Sequence, residues 1–182
     1  MDSSQQAPDT VRQNVVIIGF MGTGKSTIGE RVATGLGFSF VDTDHLIERE
    51  TGKTISDIFT QSGETGFREK ESAVLEKLTN RDRLVISTGG GIVTVPKNTR
   101  LLRRLGFVVW LNAEEEVIFL RVSKNQNRPL LQTPNPKETI HNLLGNRIPL
   151  YRSCADLEID TTDLTEDEVA FGICESARVK WG

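Results

Sequence analysis

The sequence predicts an α/β protein in which a parallel sheet is covered by helices, and three observations carry that expectation. Apolar runs recur along the chain, at Val15-Val16-Ile17-Ile18, Phe38 to Val41, Leu84-Val85-Ile86 and Phe107 to Leu111. They are continuous rather than alternating, as in strands buried on both faces. Helical patterns lie between them, giving a βαβ series. The first run passes directly into Gly19-Phe20-Met21-Gly22-Thr23-Gly24-Lys25-Ser26 and then into a helical pattern. That is the strand, loop and helix context of a phosphate-binding loop, G-x-x-x-x-G-K-[ST].

The loop after the first strand has a physical logic. Its glycines let successive backbone N–H groups curl around phosphate oxygens, and the helix beginning near Lys25 adds the positive end of its dipole. Lys25 is placed to reach the β- and γ-phosphates of a nucleotide, and Ser26 to ligate magnesium. Chance would produce the pattern in roughly 1 in 200 chains of this length, and the flanking strand and helix reduce that further. Gly22-Thr23-Gly24 does not open a dinucleotide fingerprint, because Thr27 stands where the third glycine belongs. No Asn-Lys-x-Asp occurs, and no Asp is followed three residues later by Gly. The signatures expected of a GTPase are thus missing, and a small kinase leads.

The second run ends at Asp42-Thr43-Asp44. Residues two apart on a strand point the same way, so both carboxylates are expected to face the crevice at the strand's C-terminal end. One could hold water around magnesium while the other accepts a hydrogen bond from an acceptor hydroxyl. The competing reading for Asp44 is a cap on the next helix. In the following helical pattern, Phe67, Val74, Leu75 and Leu78 define one apolar face, and Glu71 falls on it at i+4 from Phe67. A buried carboxylate needs a partner, and Arg68 is three residues away. Glu71 can therefore lock the Arg68 guanidinium to meet an anionic or polyhydroxylated ligand. A surface i,i+3 pair fits the placement of Glu71 poorly.

After the third run, Gly89, Gly90 and Gly91 allow a ligand to approach the backbone and be met by N–H groups. Such a turn is common, so it carries little weight alone. The fourth run buries Trp110 and is followed by Asn112 and three glutamates, a helix-start signal. Residues 124–135 hold Pro129 and Pro134 and read as a mobile lid carrying Arg128. Asn135-Pro136 starts the next helix, with Arg147 near its end. Leu157-Glu158-Ile159-Asp160 alternates, as a half-exposed edge strand does. Thr165-Glu166-Asp167-Glu168 is a capping box opening the last helix, and Trp181 is expected in a frayed tail.

The whole chain has 182 residues, with 22 Lys plus Arg against 25 Asp plus Glu and a net charge of −3. That is one domain's worth: a polar arm over 1–13 and a single domain over 14–182. Fractions of 37% hydrophobic and 26% charged residues exclude a disordered chain or a coiled coil. No run approaches the ~20 apolar residues of a membrane span, and the acidic balance argues against a nucleic-acid partner. Cys154 and Cys174 read as buried thiols in a reducing compartment, and with His45 and His141 they make no zinc set. The arm resembles no targeting signal, so a cytoplasmic location is expected.

Together these motifs resemble the shikimate kinases, over Asn14 to about Thr162. The likeness rests on the phosphate loop, Asp42-Thr43-Asp44, Gly63-Glu64 with Phe67-Arg68 and Glu71, Gly89-Gly90-Gly91, Arg128-Pro129-Leu130, and Arg147 with Pro149-Leu150-Tyr151. It implies a three-layer P-loop kinase fold on a five-stranded parallel sheet. It also implies Mg2+-dependent transfer of the ATP γ-phosphate to the 3-hydroxyl of shikimate, and separately a monomer is expected. By resemblance Asp44 binds the reacting hydroxyl, Arg68 and Arg147 hold the substrate carboxylate, and the triple glycine completes the pocket. Asp42 supports the magnesium shell, Arg128 is the lid arginine, and Arg121 falls at an adenine-stacking position. Gly22, Thr23, Gly24, Lys25, Ser26 and Thr27 belong to the ATP site. The rivals are a gluconate-type kinase, a nucleoside-monophosphate kinase and a non-catalytic nucleotide-binding relative.

Overall fold

A computed structural model of the chain describes residues 12–123 and 133–182. Its strands are β1 (Val15–Gly19), β2 (Ser39–Asp42), β3 (Leu84–Ser87), β4 (Phe107–Asn112) and β5 (Leu157–Asp160). All pair in parallel, in the order β2-β3-β1-β4-β5. The expected α/β architecture and five-stranded parallel sheet are therefore present. Parallel pairing brings the C-terminal ends of β1, β2 and β3 to one edge of the sheet. That edge is where open α/β sheets bind ligands.

The helices are α1 (Lys25–Leu36), α2 (Thr43–Thr51), α3 (Ile55–Leu78), α4 (Pro96–Leu105), α5 (Glu115–Ser123), α6 (Pro136–Cys154) and α7 (Glu166–Trp181). Alternate residues of the central strands feed two separate cores, because side chains on a strand alternate between faces. Val15, Ile17, Val85, Val109 and Leu111 pack beneath α1 and α7. Val16, Ile18, Ile86, Val108 and Trp110 pack beneath α3, α4 and α6. Each fully buried aliphatic or aromatic side chain contributes about 1.5–3 kcal/mol, so β1, β3 and β4, apolar on both faces, anchor the site edge. Asn14, fully buried just before β1, donates through Nδ2 to the carbonyls of Arg81 and Leu105 and accepts from Leu84 N–H. It ties the start of β1 to the segments entering β3 and β4.

Several expectations need correction. The Phe38–Val41 run does not form a strand buried on both faces. It becomes β2, the second edge of the sheet, with Ser39 exposed and the rest half-buried. Ser39 interrupts the run, and Phe40 packs against Gly29 on α1. Asn112 is not a helix cap but the last residue of β4, where its carbonyl accepts from both the backbone N–H and the hydroxyl of Thr161. Trp181 is not frayed. It ends α7 stacked on Phe38, with ring centroids 5.7 Å apart, inside the α1/α7 core.

Asn135 and Thr165 cap α6 and α7 as expected, and β5 is a half-buried edge. Cys154 and Cys174 are buried free thiols in different cores, on opposite faces of the sheet. Among the described residues no helix is long and apolar enough to cross a membrane.

Candidate active site

Three strand ends supply the site. Beyond β1 the loop curls back on itself: Thr23 Oγ1 and Lys25 Nζ each donate to the Phe20 carbonyl at 2.8 Å. Gly24 takes a left-handed conformation (φ 84°, ψ 15°) to turn the chain into α1. No side chain caps α1 and no acid occupies its first turn, so its N-terminal N–H groups point toward an anion site. Gly22 is half-buried in the loop, and Thr27 lies exposed on the first turn of α1.

Asp42 joins the loop to β2. Its Oδ2 accepts from Ser26 Oγ at 2.8 Å, while Oδ1 caps α2 by accepting from the N–H groups of Asp44 and His45. The expectation that Asp42 and Asp44 share a strand face is thus wrong in its reason. The strand stops at Asp42, which is the cap, and Asp44 lies in the first turn of α2. Asp44 nevertheless reaches the crevice: a Cβ placed on Gly89 would lie 3.0 Å from its Oδ1.

Ser26 Oγ also lies 3.3 Å from Ser87 Oγ at the end of β3. Serine hydroxyls and a carboxylate are hard oxygen donors of the kind magnesium takes, few in number because water and phosphate complete its shell. Among the described residues no cluster of three or more His, Cys, Asp or Glu could hold a metal without such help. The donor set therefore fits a nucleotide-bound magnesium ion.

The acceptor pocket is built around two buried guanidinium groups. Arg68 Nη1 donates to Glu71 Oε2 at 2.7 Å, and Glu71 is fully buried, as its place on the apolar stripe of α3 requires. Arg147, 3% exposed, donates through Nη1 to the Gly90 carbonyl at 3.4 Å, with Cζ 5.5 Å from the Phe20 ring centroid. Tyr151, one turn further along α6, donates to the same carbonyl.

The triple glycine permits this closeness. A Cβ on Gly91 would collide with the Arg68 guanidinium, and one on Gly89 would lie 2.5 Å from Glu71 Oε1. Gly89 N–H does not face the pocket freely as expected, since it donates to Thr43 Oγ1 at 3.3 Å. Burial lifts the Glu71 carboxyl to about 7, Arg68 pulls it back and Asp44 adds to the rise. Burial opposes the Arg68 charge, but Glu71 and Glu64 outweigh it and hold that guanidinium above its usual pKa.

On the other side of the loop, Arg121 donates to the Thr161 hydroxyl and carbonyl at 3.3 and 3.1 Å. It lines a cleft with Gly22, Thr23, Gly24, Leu164 and Val169. Arg128 and most of the expected lid, residues 124–132, lie outside the described residues.

Sequence reasoning passed over Thr43, Tyr151 and the pairing of Glu64 with Arg68. The i,i+4 spacings of Glu64 to Arg68 and of Arg147 to Tyr151 were available signals. Nothing in the pattern marks Thr43.

A family profile described as "Shikimate kinase" matches residues 21–178. The shikimate kinase of Thermodesulfovibrio yellowstonii is 49% identical over 158 residues, spanning 87% of this chain and 91% of that protein. The structure of shikimate kinase from Acinetobacter baumannii in complex with shikimate superposes with a TM-score of 0.89 at 41% identity, over 94% of this chain and 96% of that one. A gluconokinase from Sinorhizobium meliloti reaches a TM-score of 0.52 at 15% identity over 92% of this chain and 95% of that one, a likeness of fold alone.

Proposed function

This chain belongs to the shikimate kinase family and is an ATP-dependent enzyme of it, and we propose that it transfers the γ-phosphate of ATP to the 3-hydroxyl of shikimate. The products are shikimate 3-phosphate and ADP. The observation that carries the reading is the pair of buried guanidinium groups, Arg68 and Arg147, set around Gly89–Gly91 beside Asp44 and the phosphate loop. Two such groups suit an acceptor that carries a carboxylate.

The ATP phosphates rest on the N–H groups of Gly22, Thr23, Gly24 and the first turn of α1. Lys25 exchanges the Phe20 carbonyl for phosphate oxygens. Arg121 packs beside the nucleotide base, and Thr27 completes the first turn of α1 around the phosphates. Ser26 and Asp42 would hold Mg2+, which would withdraw charge from the phosphate oxygens. Arg128 adds positive charge from the lid segment as the phosphoryl group moves. Glu71 holds Arg68 in place, and Arg68 and Arg147 grip the acceptor carboxylate.

Asp44 accepts a hydrogen bond from the acceptor hydroxyl and fixes its line of approach. A carboxylate is too weak a base to strip an alcohol beforehand. A loose transition state needs no such step, and the proton passes to Asp44 late.

Residues 14–182 act as one catalytic unit, and the enzyme works as a monomer. Two buried, unlinked thiols fit a reducing, cytoplasmic setting. The acceptor is tested by coupled ADP release with shikimate, gluconate and AMP, with 31P NMR of the product. Release dependent on shikimate, with a new phosphate monoester, is expected. Release with gluconate or AMP but not shikimate would sink the assignment.

A further inference from the structure

The Arg68 guanidinium holds two carboxylates, and they sit in different settings. Nη1 takes Glu71, whose side chain is 0% exposed. The opposite edge of the fork, Nε and Nη2, closes on a single oxygen of Glu64 at 3.2 and 2.8 Å. The Glu64 side chain is 50% exposed. Glu71 is thus a built-in support, packed into the apolar stripe of α3, whereas Glu64 can return to water without leaving a buried charge behind. The backbone next to Glu64 is also a break in the helix: Gly63 has φ 64° and ψ −173°, with open space around its Cα. A kink rather than a regular helical turn precedes the residue, which leaves its side chain room to depart.

An arginine edge presenting two parallel N–H groups is the surface that binds a carboxylate most strongly. On Arg68 that edge is filled by a carboxylate of the chain itself. We propose that Glu64 is a specificity-determining residue that occupies the substrate-carboxylate position on Arg68 in the unliganded enzyme and is displaced by the substrate's own carboxylate. This rests on the reading of Arg68 as a carboxylate-holding residue given above.

The exchange of one carboxylate for another nearly conserves the charge-assisted hydrogen bonds of Arg68. An acceptor carrying only hydroxyls must also displace Glu64 to use this edge but cannot replace its charge-assisted hydrogen bonds, so it meets the full cost of the lost ion pair. Discrimination then comes from competition as well as from attraction. The true substrate loses affinity equal to the strength of one half-exposed ion pair, about two- to fivefold in its dissociation constant.

The test compares wild type, Glu64→Gln, Glu64→Ala and Arg68→Met in steady-state kinetics with shikimate and in calorimetric titration of shikimate. Both Glu64 variants are expected to lower the shikimate KM and Kd about two- to fivefold, with the change falling on KM rather than kcat and the ATP KM untouched. A side chain that merely stiffens α3, or one that binds substrate directly, would leave these constants unchanged or raise them, and either result overturns the proposal. Arg68→Met separates the two levels of the argument. A raised shikimate KM in that variant, beside unresponsive Glu64 variants, overturns the Glu64 inference alone. An unchanged KM in Arg68→Met overturns the substrate-site reading beneath it as well.

Discussion

Gly91 is where the acceptor pocket tolerates least. Its backbone angles (φ −101°, ψ 5°) are open to alanine, so only the collision with the Arg68 guanidinium forbids a methyl group there. Gly91→Ala is expected to push Arg68 off its line and raise the shikimate KM by about a hundredfold, with the ATP KM near wild type and the thermal midpoint lowered, because buried Glu71 loses its partner. Asp44→Asn keeps the shape and removes the proton acceptor, so kcat should fall by about 10²–10⁴ with little change in ATP binding. An active Asn variant would remove Asp44 from the reaction.

Glu71 gives a pH signature to the folded state. Its carboxyl titrates at about 7 in the fold against an ordinary value of 4.5. Between those values the folded chain keeps a proton that the unfolded chain has released. The site's stabilising contribution is therefore complete below about pH 4.5 and is lost as pH rises through about 7. Urea unfolding of wild type and Glu71→Gln without substrate should show the difference between them moving against the wild type by on the order of 3 kcal/mol from pH 4.5 to 7. A difference that does not vary with pH would contradict the shift.

Among the elements, those buried on both faces were the most legible. Val15–Ile18, Leu84–Ile86 and Phe107–Leu111 declare themselves because a central parallel strand has no polar face to show. Phe38–Val41 lies at an edge, and the exposed Ser39 that interrupts its apolar residues was the available sign of it. The helix beginning at Thr43 was hidden by a motif that reads as a strand end, although Asp42 followed by Thr43 and Asp44 is also a cap sequence. At the site, Arg68 with Glu71 was legible because a carboxylate on an apolar stripe demands a partner. Thr43 was not, because no local pattern distinguishes a buried threonine that meets a distant N–H.

The end of α7 was misread because a chain terminus carries no sign of what it docks against. Its Trp181 stacks on Phe38, itself 5.4 Å beneath the Arg83 guanidinium. Trp181→Ala should lower the stability measured by urea unfolding by about 1–2 kcal/mol and leave the kinetic constants alone, since this contact lies in the core beneath α1 and α7, away from the acceptor pocket.

At the scale of the whole molecule, a net charge of −3 coexists with an acceptor pocket that presents two buried guanidinium groups beside carboxylates of the chain itself. The sheet makes this possible. Three parallel strand ends bring Ser26, Asp42 and Ser87 within hydrogen-bonding reach, and the apolar layers of α3 and α6 deliver Arg68 and Arg147 from one side. Some of the acids that balance them lie on exposed helix starts, such as Glu166, Asp167 and Glu168. The central claim is that the two guanidinium groups select an acceptor by its carboxylate. It is tested most directly by comparing kcat/KM for shikimate and for its uncharged methyl ester under saturating ATP and magnesium. The ester should be slower by about a hundredfold or more, and that gap should shrink in Arg68→Met and Arg147→Met. Equal turnover of acid and ester by the wild type would contradict the account.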